Sequence, residues 1–174
     1  TFFFFSGVTL IYLRTDMLCL GFFENPEQIG IYNVSSRVAE TVAFPLHVIT
    51  FGLSPLISGL FHSNDKLKLQ KMITTAARLI FFLSLTAALL FIFFGTPILN
   101  LFGKHFEAGH PALLILIFGN MLNVIAGPAG YILAMTGHER LAFYSMTAAC
   151  LFNIAMNLVL IPLYGISGAA IAVS

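Results

Sequence analysis

Residues 71–94 read KMITTAARLIFFLSLTAALLFIFF, and this stretch decides the fold. Beyond Arg78 it carries no charged side chain, only leucine, isoleucine, phenylalanine, alanine and two small hydroxyl residues. A helix needs about 20 mainly apolar residues to cross a lipid bilayer. The stretch therefore predicts a transmembrane helix.

The composition extends this prediction to the whole chain. Of its 174 residues, 59% are hydrophobic and 9% are charged, and the mean hydropathy is +0.96. Ordinary soluble domains carry about 25% charged residues. The net charge of +1 comes from scattered basic residues, so we expect no nucleic-acid partner. These values exclude a soluble domain and a disordered tail, and they predict an all-α polytopic membrane protein.

Short polar links divide the chain into about six predicted transmembrane helices of one helical bundle. The expected links are Glu24–Gln28, His62–Gln70, a loop at 95–111 with an interfacial apolar piece at 98–102, and a tight turn at 137–140. We place the spans at about 2–23, 29–61, 71–94, 112–135 and 141–163, with a sixth segment that begins at Ile166.

The basic residues of the links predict the orientation. The links after the second and fourth spans hold Lys66, Lys68, Lys71 and Arg140, whereas the other links hold Lys104 alone. Lys and Arg are enriched in cytoplasmic loops. The first set is therefore predicted to be cytoplasmic, which places the beginning of the first span in the cytoplasm as well.

Four charged side chains in the first two spans are the strongest functional signal. Arg14, Asp16, Arg37 and Glu40 lie roughly 12–17 Å from the outer ends of their spans, at about 1.5 Å per residue. Charges at this depth usually face a cavity or a partner. Pairing of Arg14 with Glu40 or of Asp16 with Arg37 across the two helices is geometrically possible, and we favour a substrate-cavity lining over purely structural ion pairs.

Asparagines form the second polar signal. Asn120 and Asn123 share a face of the fourth span, and Asn153 and Asn157 are four residues apart on the fifth. Such stripes are typical of close helix packing with interhelical hydrogen bonds. A polar cavity wall is the alternative, so all four asparagines are candidate cavity residues.

Prolines and glycines are predicted to bend two of the spans. Pro45 and Pro55 interrupt the second span, and Gly127 with Pro128 interrupts the fourth. Interrupted helices mark working sites in many transporters. Simple packing kinks are the alternative interpretation.

Nothing in the sequence predicts catalysis or a metal site. Cys19 and Cys150 lie in apolar stretches without CxxC spacing, and the five histidines lack metal-ligand spacing. The links are too short for a catalytic domain. We therefore expect no metal, no cofactor and no enzymatic activity.

The order of several short motifs is similar to that in polysaccharide (O-antigen) flippases of the multidrug/oligosaccharidyl-lipid/polysaccharide exporter superfamily, and the first three motifs resemble the seventh and eighth helices of these proteins. The motifs cover essentially the whole chain. They are Arg14-Thr-Asp16, Leu20-Gly21, Gly30-Ile-Tyr32-Asn, Pro45, Pro55-Leu-Ile-Ser58, Phe94-Gly95, Phe106-Glu-Ala-Gly109, Leu133-Ala-Met-Thr-Gly137, Asn157-Leu-Val-Leu-Ile-Pro-Leu-Tyr-Gly165 and Gly168-Ala-Ala-Ile-Ala172.

This resemblance implies a transporter of two helical bundles, of which residues 1–174 form the second, C-terminal bundle, truncated at both ends. It implies flipping of lipid-linked oligosaccharide, of the undecaprenyl-pyrophosphate type, across the bacterial inner membrane. Arg14 and Arg37 would meet the pyrophosphate or acidic sugars, and Asp16 and Glu40 would pair with them or couple ion movement. Polysaccharide assembly enzymes are further candidate partners beside the lipid bilayer.

Three other functions remain open at this point, one of which is a non-transporting scaffold whose ion pairs only hold helices together. A multidrug or metabolite cation antiporter of the same superfamily would use an unpaired carboxylate, whereas each acid here has an arginine nearby. A membrane polysaccharide polymerase or ligase would need a sizeable outer loop with catalytic polar residues, and the 95–111 link is short.

Overall fold

The computed structural model describes residues 15–63, 65–127 and 139–174, which are helical almost throughout and contain no strand. Six α-helices and one 3₁₀ helix follow one another in these residues. They are α1 (Thr15–Phe23), α2 (Pro26–His62), α3 (Lys66–Asn100), the 3₁₀ helix (Lys104–Gly109), α4 (His110–Ala126), α5 (Glu139–Tyr164) and α6 (Ile166–Val173).

Four helical segments of the described residues are long and apolar enough to cross a membrane. They are Pro26–Leu60, Leu67–Asn100, Lys104–Ala126 and Thr147–Tyr164. The predicted all-α membrane fold is therefore confirmed. Of the first predicted span, only α1 falls within the described residues, and α6 begins at Ile166 as predicted.

The second span is one continuous helix. α2 begins at Pro26, inside the predicted 24–28 link, because proline at a first helical position loses no hydrogen bond that the helix would make. It then continues through Pro45 and Pro55 without ending. The predicted interruption of this helix is therefore wrong, and a bend at either proline stays a prediction.

The third helix is longer at both ends than its apolar stretch. It begins at Lys66 rather than Lys71, because polarity does not stop a helix and the Asp65 side chain caps it by accepting from the Lys68 backbone N–H. The Lys68 ammonium, 2.9 Å from the same carboxylate, helps to hold the pKa of Asp65 below its usual value.

The predicted loop at 95–111 is also wrong, because α3 runs to Asn100. Gly95 and Pro97 disfavour a helix locally, but packing overrides that preference. A side chain at Gly95 would meet Leu113 and His110 of α4, and Leu99 is fully buried in the last turn. The chain then turns at Gly103, whose φ of 136° suits glycine, into the 3₁₀ helix.

The boundaries of the last helices differ less from their predictions. α4 begins at His110 and ends at Ala126, and Gly127 stops it with a φ of 69°. α5 begins at Glu139, which places the last two residues of the predicted 137–140 turn inside a helix. Pro128 and the end of the predicted fourth span lie outside the described residues.

α4 is the central helix of the core. Its Ala112, Leu113, Leu116 and Ile117 are at most 4% exposed and pack against α2, α3 and α6. Ala169 and Ala170 bring the backbone of α6 close to this helix. Small residues at such contacts let spanning helices approach each other, which is how helices associate inside a lipid bilayer.

Candidate functional site

A hydrogen bond joins Asp16 of α1 to Tyr32 of α2. The Tyr32 hydroxyl donates to Oδ2 of Asp16 over 2.8 Å, and the two residues are 0% and 8% exposed respectively. The hydroxyl satisfies part of the need of a buried carboxylate for donors. The contact holds α1 against the N-terminal part of α2.

The pairing of Asp16 with Arg37 that the sequence allows therefore does not form. Arg37 lies five residues after Tyr32, which turns it about 140° around the helix axis. Because Tyr32 faces α1, Arg37 points away from α1. Similar depth stays a prediction, and depth alone does not decide on which side of a helix a residue lies.

Arg37 instead lies beside Glu40 of its own helix. Nη1 of Arg37 is 4.0 Å from Oε2 of Glu40, and the two side chains are 60% and 62% exposed. An exposed pair at that distance is weak, so most of the guanidinium donors are available to another group. Arg14 lies outside the described residues, and its pairing with Glu40 stays a prediction.

Arg37 and Glu40 belong to a larger set of exposed polar residues, Arg37, Glu40, Thr41 and His47, which we call the α2 polar face. The exposed apolar side chains of Phe44 and Val48 lie on the same side of the helix. All four polar residues are exposed and lie within about 120° of the helix circumference. The face extends about 15 Å along the axis. The buried residues Ala39, Val42 and Leu46 lie on the other side of the helix.

Sequence reasoning missed the last two members of this face and the partner of Asp16. His47 lies seven residues after Glu40, two helical turns further on the same side, and that spacing was the available signal. Tyr32 was part of a recognised motif, but its neutral hydroxyl gave no electrostatic sign of pairing with a carboxylate.

The two asparagines of α4 differ in exposure. Asn120 is partly buried, and its amide donates to the backbone oxygen of Leu116 at 2.9 Å. Asn123 is exposed near the end of the helix. Asn123 therefore has a side chain that an external group can reach, whereas the Asn120 amide is already engaged with its own helix.

The two asparagines of α5 are packing residues in the described chain. Asn153 is 4% exposed and donates to the backbone oxygen of Ala172 in α6 at 3.0 Å. Asn157 is fully buried and donates to the backbone and side-chain oxygens of Asn153, both at 3.0 Å. This confirms the expected interhelical hydrogen bonding. Contact of either residue with a substrate stays a prediction.

Within the described ranges, no group of three or more histidine, cysteine, aspartate or glutamate side chains lies close enough to hold a metal ion. The α2 polar face offers groups for hydrogen bonds and ionic contacts. It consists of a planar cation, a carboxylate, a hydroxyl and an imidazole on one side of a helix.

These helices define the class of the protein as a polytopic α-helical membrane protein with a charged, exposed face on one spanning helix. The MatE family model matches residues 3–159. The chain therefore belongs to the MatE family.

Three archaeal proteins are similar to the chain. It is 24% identical to the probable flippase AglR and 23% identical to the probable low-salt glycan biosynthesis flippase Agl15, both of Haloferax volcanii, over 92% of the chain and 34% of each relative. It is 28% identical to the uncharacterized membrane protein MJ1068 of Methanocaldococcus jannaschii, over 94% of the chain and 32% of the relative. No solved structure gives a significant match.

The chain thus spans about a third of the length of the curated relatives that it matches. The helices described above are compared with one part of a longer relative in each case. How these helices are arranged within a complete transporter is therefore a proposal.

Proposed function

We propose that the protein containing this chain flips a lipid-linked oligosaccharide across a membrane by alternating access. In this proposal residues 1–174 contribute the second, C-terminal helical bundle, and the α2 polar face lines the cavity between the two bundles. The MatE family match and the names of two relatives support transport of this type.

The observation that carries the proposal is the exposure of Arg37 and Glu40 on a helix long enough to cross the membrane. Translocon scales put the cost of an arginine facing lipid near the middle of a spanning helix at about 2.5–3.5 kcal/mol. A second bundle or a water-filled cavity against this face removes that cost. The opposite, apolar side of α2 is already covered by α3 and α4.

The side chains suit a phosphate-containing head group. An arginine guanidinium presents a planar fork of donors that binds phosphate in a bidentate manner. Its loose contact with Glu40 leaves that fork available. Glu40 and Thr41 offer acceptors for sugar hydroxyls, while the lipid tail of the substrate remains in the bilayer.

The carrier lipid and the membrane are finer parts of the proposal. The resemblance to polysaccharide flippases favours an undecaprenyl-pyrophosphate carrier and the bacterial inner membrane, whereas the similar proteins named above are archaeal. Mass spectrometry of the lipid-linked glycan that accumulates when the gene is removed identifies the carrier. Co-purification tests the proposed contact with polysaccharide assembly enzymes.

The decisive experiment measures translocation of lipid-linked oligosaccharide by the full-length protein carrying Arg37→Gln. Losing one charge-assisted hydrogen bond of about 1.5–3 kcal/mol predicts a tenfold or larger fall in flux. Lys104→Gln is the matched control, because it removes an exposed cation that lies outside α2 and outside the α2 polar face. Normal flux in Arg37→Gln at normal abundance overturns the proposal.

Arg37→Lys separates geometry from charge. It retains the cation but removes the bidentate fork, so we expect flux between that of Arg37→Gln and that of the wild type. Both variants should be as abundant in the membrane as the wild type, because the Arg37 side chain is exposed and contributes little to folding.

A second candidate, cation-coupled export of a small molecule, rests on Asp16. Its carboxylate is buried beside a neutral hydroxyl, and no described cation pairs with it. The argument that each acid has an arginine nearby therefore does not hold for Asp16 in the described residues. Two results together would favour this candidate. Export of a small molecule would depend on a cation gradient, and deletion of the gene would leave glycan translocation unaffected. If deletion of the gene changed the chain length of the polysaccharide rather than its translocation, the result would instead favour a membrane polymerase or ligase.

A further inference from the structure

The charges of α3 are strongly asymmetric. The helix carries four basic residues and no acidic one, and all four fall in its first thirteen residues, Lys66–Arg78. Lys68 pairs with Asp65 at 2.9 Å. Among the described residues no acid pairs with Lys71 or Arg78. The predicted cytoplasmic end of the helix thus carries unbalanced positive charge.

Arg78 lies in an open groove on the side of α3 that faces away from the other helices. The groove has a volume of about 570 Å³ and is lined by Thr74, Ala77, Arg78, Phe81 and Phe82, all of the same helix. The core side of α3 is marked by Ala76 and Ile80, which are 6% and 1% exposed. Arg78 is two residues from each, about 160° around the helix, so the groove faces away from the bundle.

The groove begins just inside the apolar layer, within reach of a lipid head group. The 35 residues of α3 are about 52 Å long, about 22 Å more than the apolar layer of a bilayer. Centring the helix in that layer puts Arg78 about 8 Å inside its cytoplasmic boundary. A long arginine side chain reaches back to the interface from such a position while its stem stays in the apolar layer.

We propose that the groove around Arg78 binds the phosphate group of an anionic lipid of the cytoplasmic leaflet. Lys71 lies on the same side of the helix, seven residues and about 10 Å nearer the cytoplasm, where it attracts the same head group. Phe81 and Phe82 provide an apolar surface on the membrane side of Arg78 for an acyl chain.

The chemistry of the groove favours an anionic over a zwitterionic lipid. α3 has no acidic side chain to meet the ammonium group of a zwitterion. The Thr74 hydroxyl is engaged with the backbone oxygen of Gln70 at 2.8 Å, so the phosphate contacts rest on Arg78 and Lys71. This lipid site is separate from the α2 polar face and does not depend on the proposed function.

Native mass spectrometry of the full-length protein tests the site, with phosphatidylglycerol titrated into zwitterionic micelles. We expect phosphatidylglycerol to bind the wild type, and Arg78→Gln to weaken that binding about tenfold, the loss of one charge-assisted contact. Lys71→Gln should weaken it less. Lys104→Gln, which removes an exposed cation outside α3, should bind phosphatidylglycerol as the wild type does.

Three outcomes would overturn the proposal. They are equal phosphatidylglycerol binding by Arg78→Gln and the wild type, equal binding of phosphatidylcholine and phosphatidylglycerol by the wild type, and full competition by inorganic phosphate at the same concentration. The last would identify an anion site that does not recognise lipid. The thermal stability of Arg78→Gln in zwitterionic micelles should equal that of the wild type, because the side chain is exposed.

Discussion

The hydroxyl of Ser35 in α2 lies 3.2 Å from the carbonyl oxygen of Gly109, 74 positions further along the chain. The same hydroxyl lies 3.0 Å from the carbonyl oxygen of Ile31, so its single proton is shared between a local and a distant acceptor. This contact sets the distance between α2 and the end of the 3₁₀ helix. It requires that position 109 have no side chain.

Gly109→Ala should therefore destabilise the fold. An added Cβ would overlap the Ser35 hydroxyl and approach the Ile31 side chain within 2.8 Å. Overpacking of this kind costs about 1–3 kcal/mol. A fall in the apparent melting temperature of the purified full-length protein measures it.

Gly52→Ala is the matched control for this substitution. A Cβ at Gly52 would meet nothing within 4 Å, and alanine is the better helix former. We expect a melting temperature equal to that of the wild type or slightly higher. Equal losses in both variants would contradict the close approach at Gly109.

Tyr32→Phe should destabilise the contact between α1 and α2. It removes the donor to Asp16 and leaves that buried carboxylate oxygen without its partner. The expected cost is about 1–3 kcal/mol, measured by thermal unfolding. Tyr164→Phe removes the same group from a residue that is 62% exposed, and no change is expected there. A stable Tyr32→Phe protein would show that the hydrogen bond contributes nothing to the fold.

Asn157→Ala should lower stability without a specific effect on transport. It removes two contacts with Asn153 inside the core, which predicts a cost of about 1 kcal/mol. Flux per molecule in the membrane should match the wild type. Asn123→Ala, at an exposed position of α4, should leave stability unchanged. A loss of flux per molecule in Asn157→Ala would instead place Asn157 on the substrate path.

Thiol labelling tests whether water reaches the α2 polar face. In a cysteine-free background, Thr41→Cys and His47→Cys should react with a membrane-impermeant maleimide in intact or inverted vesicles. Ala39→Cys, at a fully buried position, and Phe93→Cys, at an apolar position that is 77% exposed, should stay unlabelled. Failure of both test positions to react on either side would argue against a water-filled cavity along this face.

Some of the boundaries followed from local chemistry. α5 was predicted within two residues at its start and one at its end, and α6 begins at the predicted residue, because Gly165 with a φ of 58° separates two apolar stretches. The last turn of α3 could not be predicted in this way. Gly95 and Pro97 indicate a loop locally, and only burial against α4 makes them helical.

The features of the candidate site can be separated in the same way, into those that the local sequence predicts and those that packing decides. Depth in the membrane depends on residue count, so the sequence by itself predicted similar heights for Asp16, Arg37 and Glu40 in neighbouring apolar helices, and this stays a prediction. It also determined that the chain is an α-helical membrane protein, because hydrophobic burial in lipid depends on composition and stretch length.

Only the tertiary structure decided which charged groups meet. Asp16 contacts Tyr32 because that residue occupies the side of α2 that packs on α1, while Arg37 is turned to the opposite side. The choice depends on how two helices are rotated about their axes. That rotation is set by the shape of the whole core, centred on α4, and by no single residue of either helix.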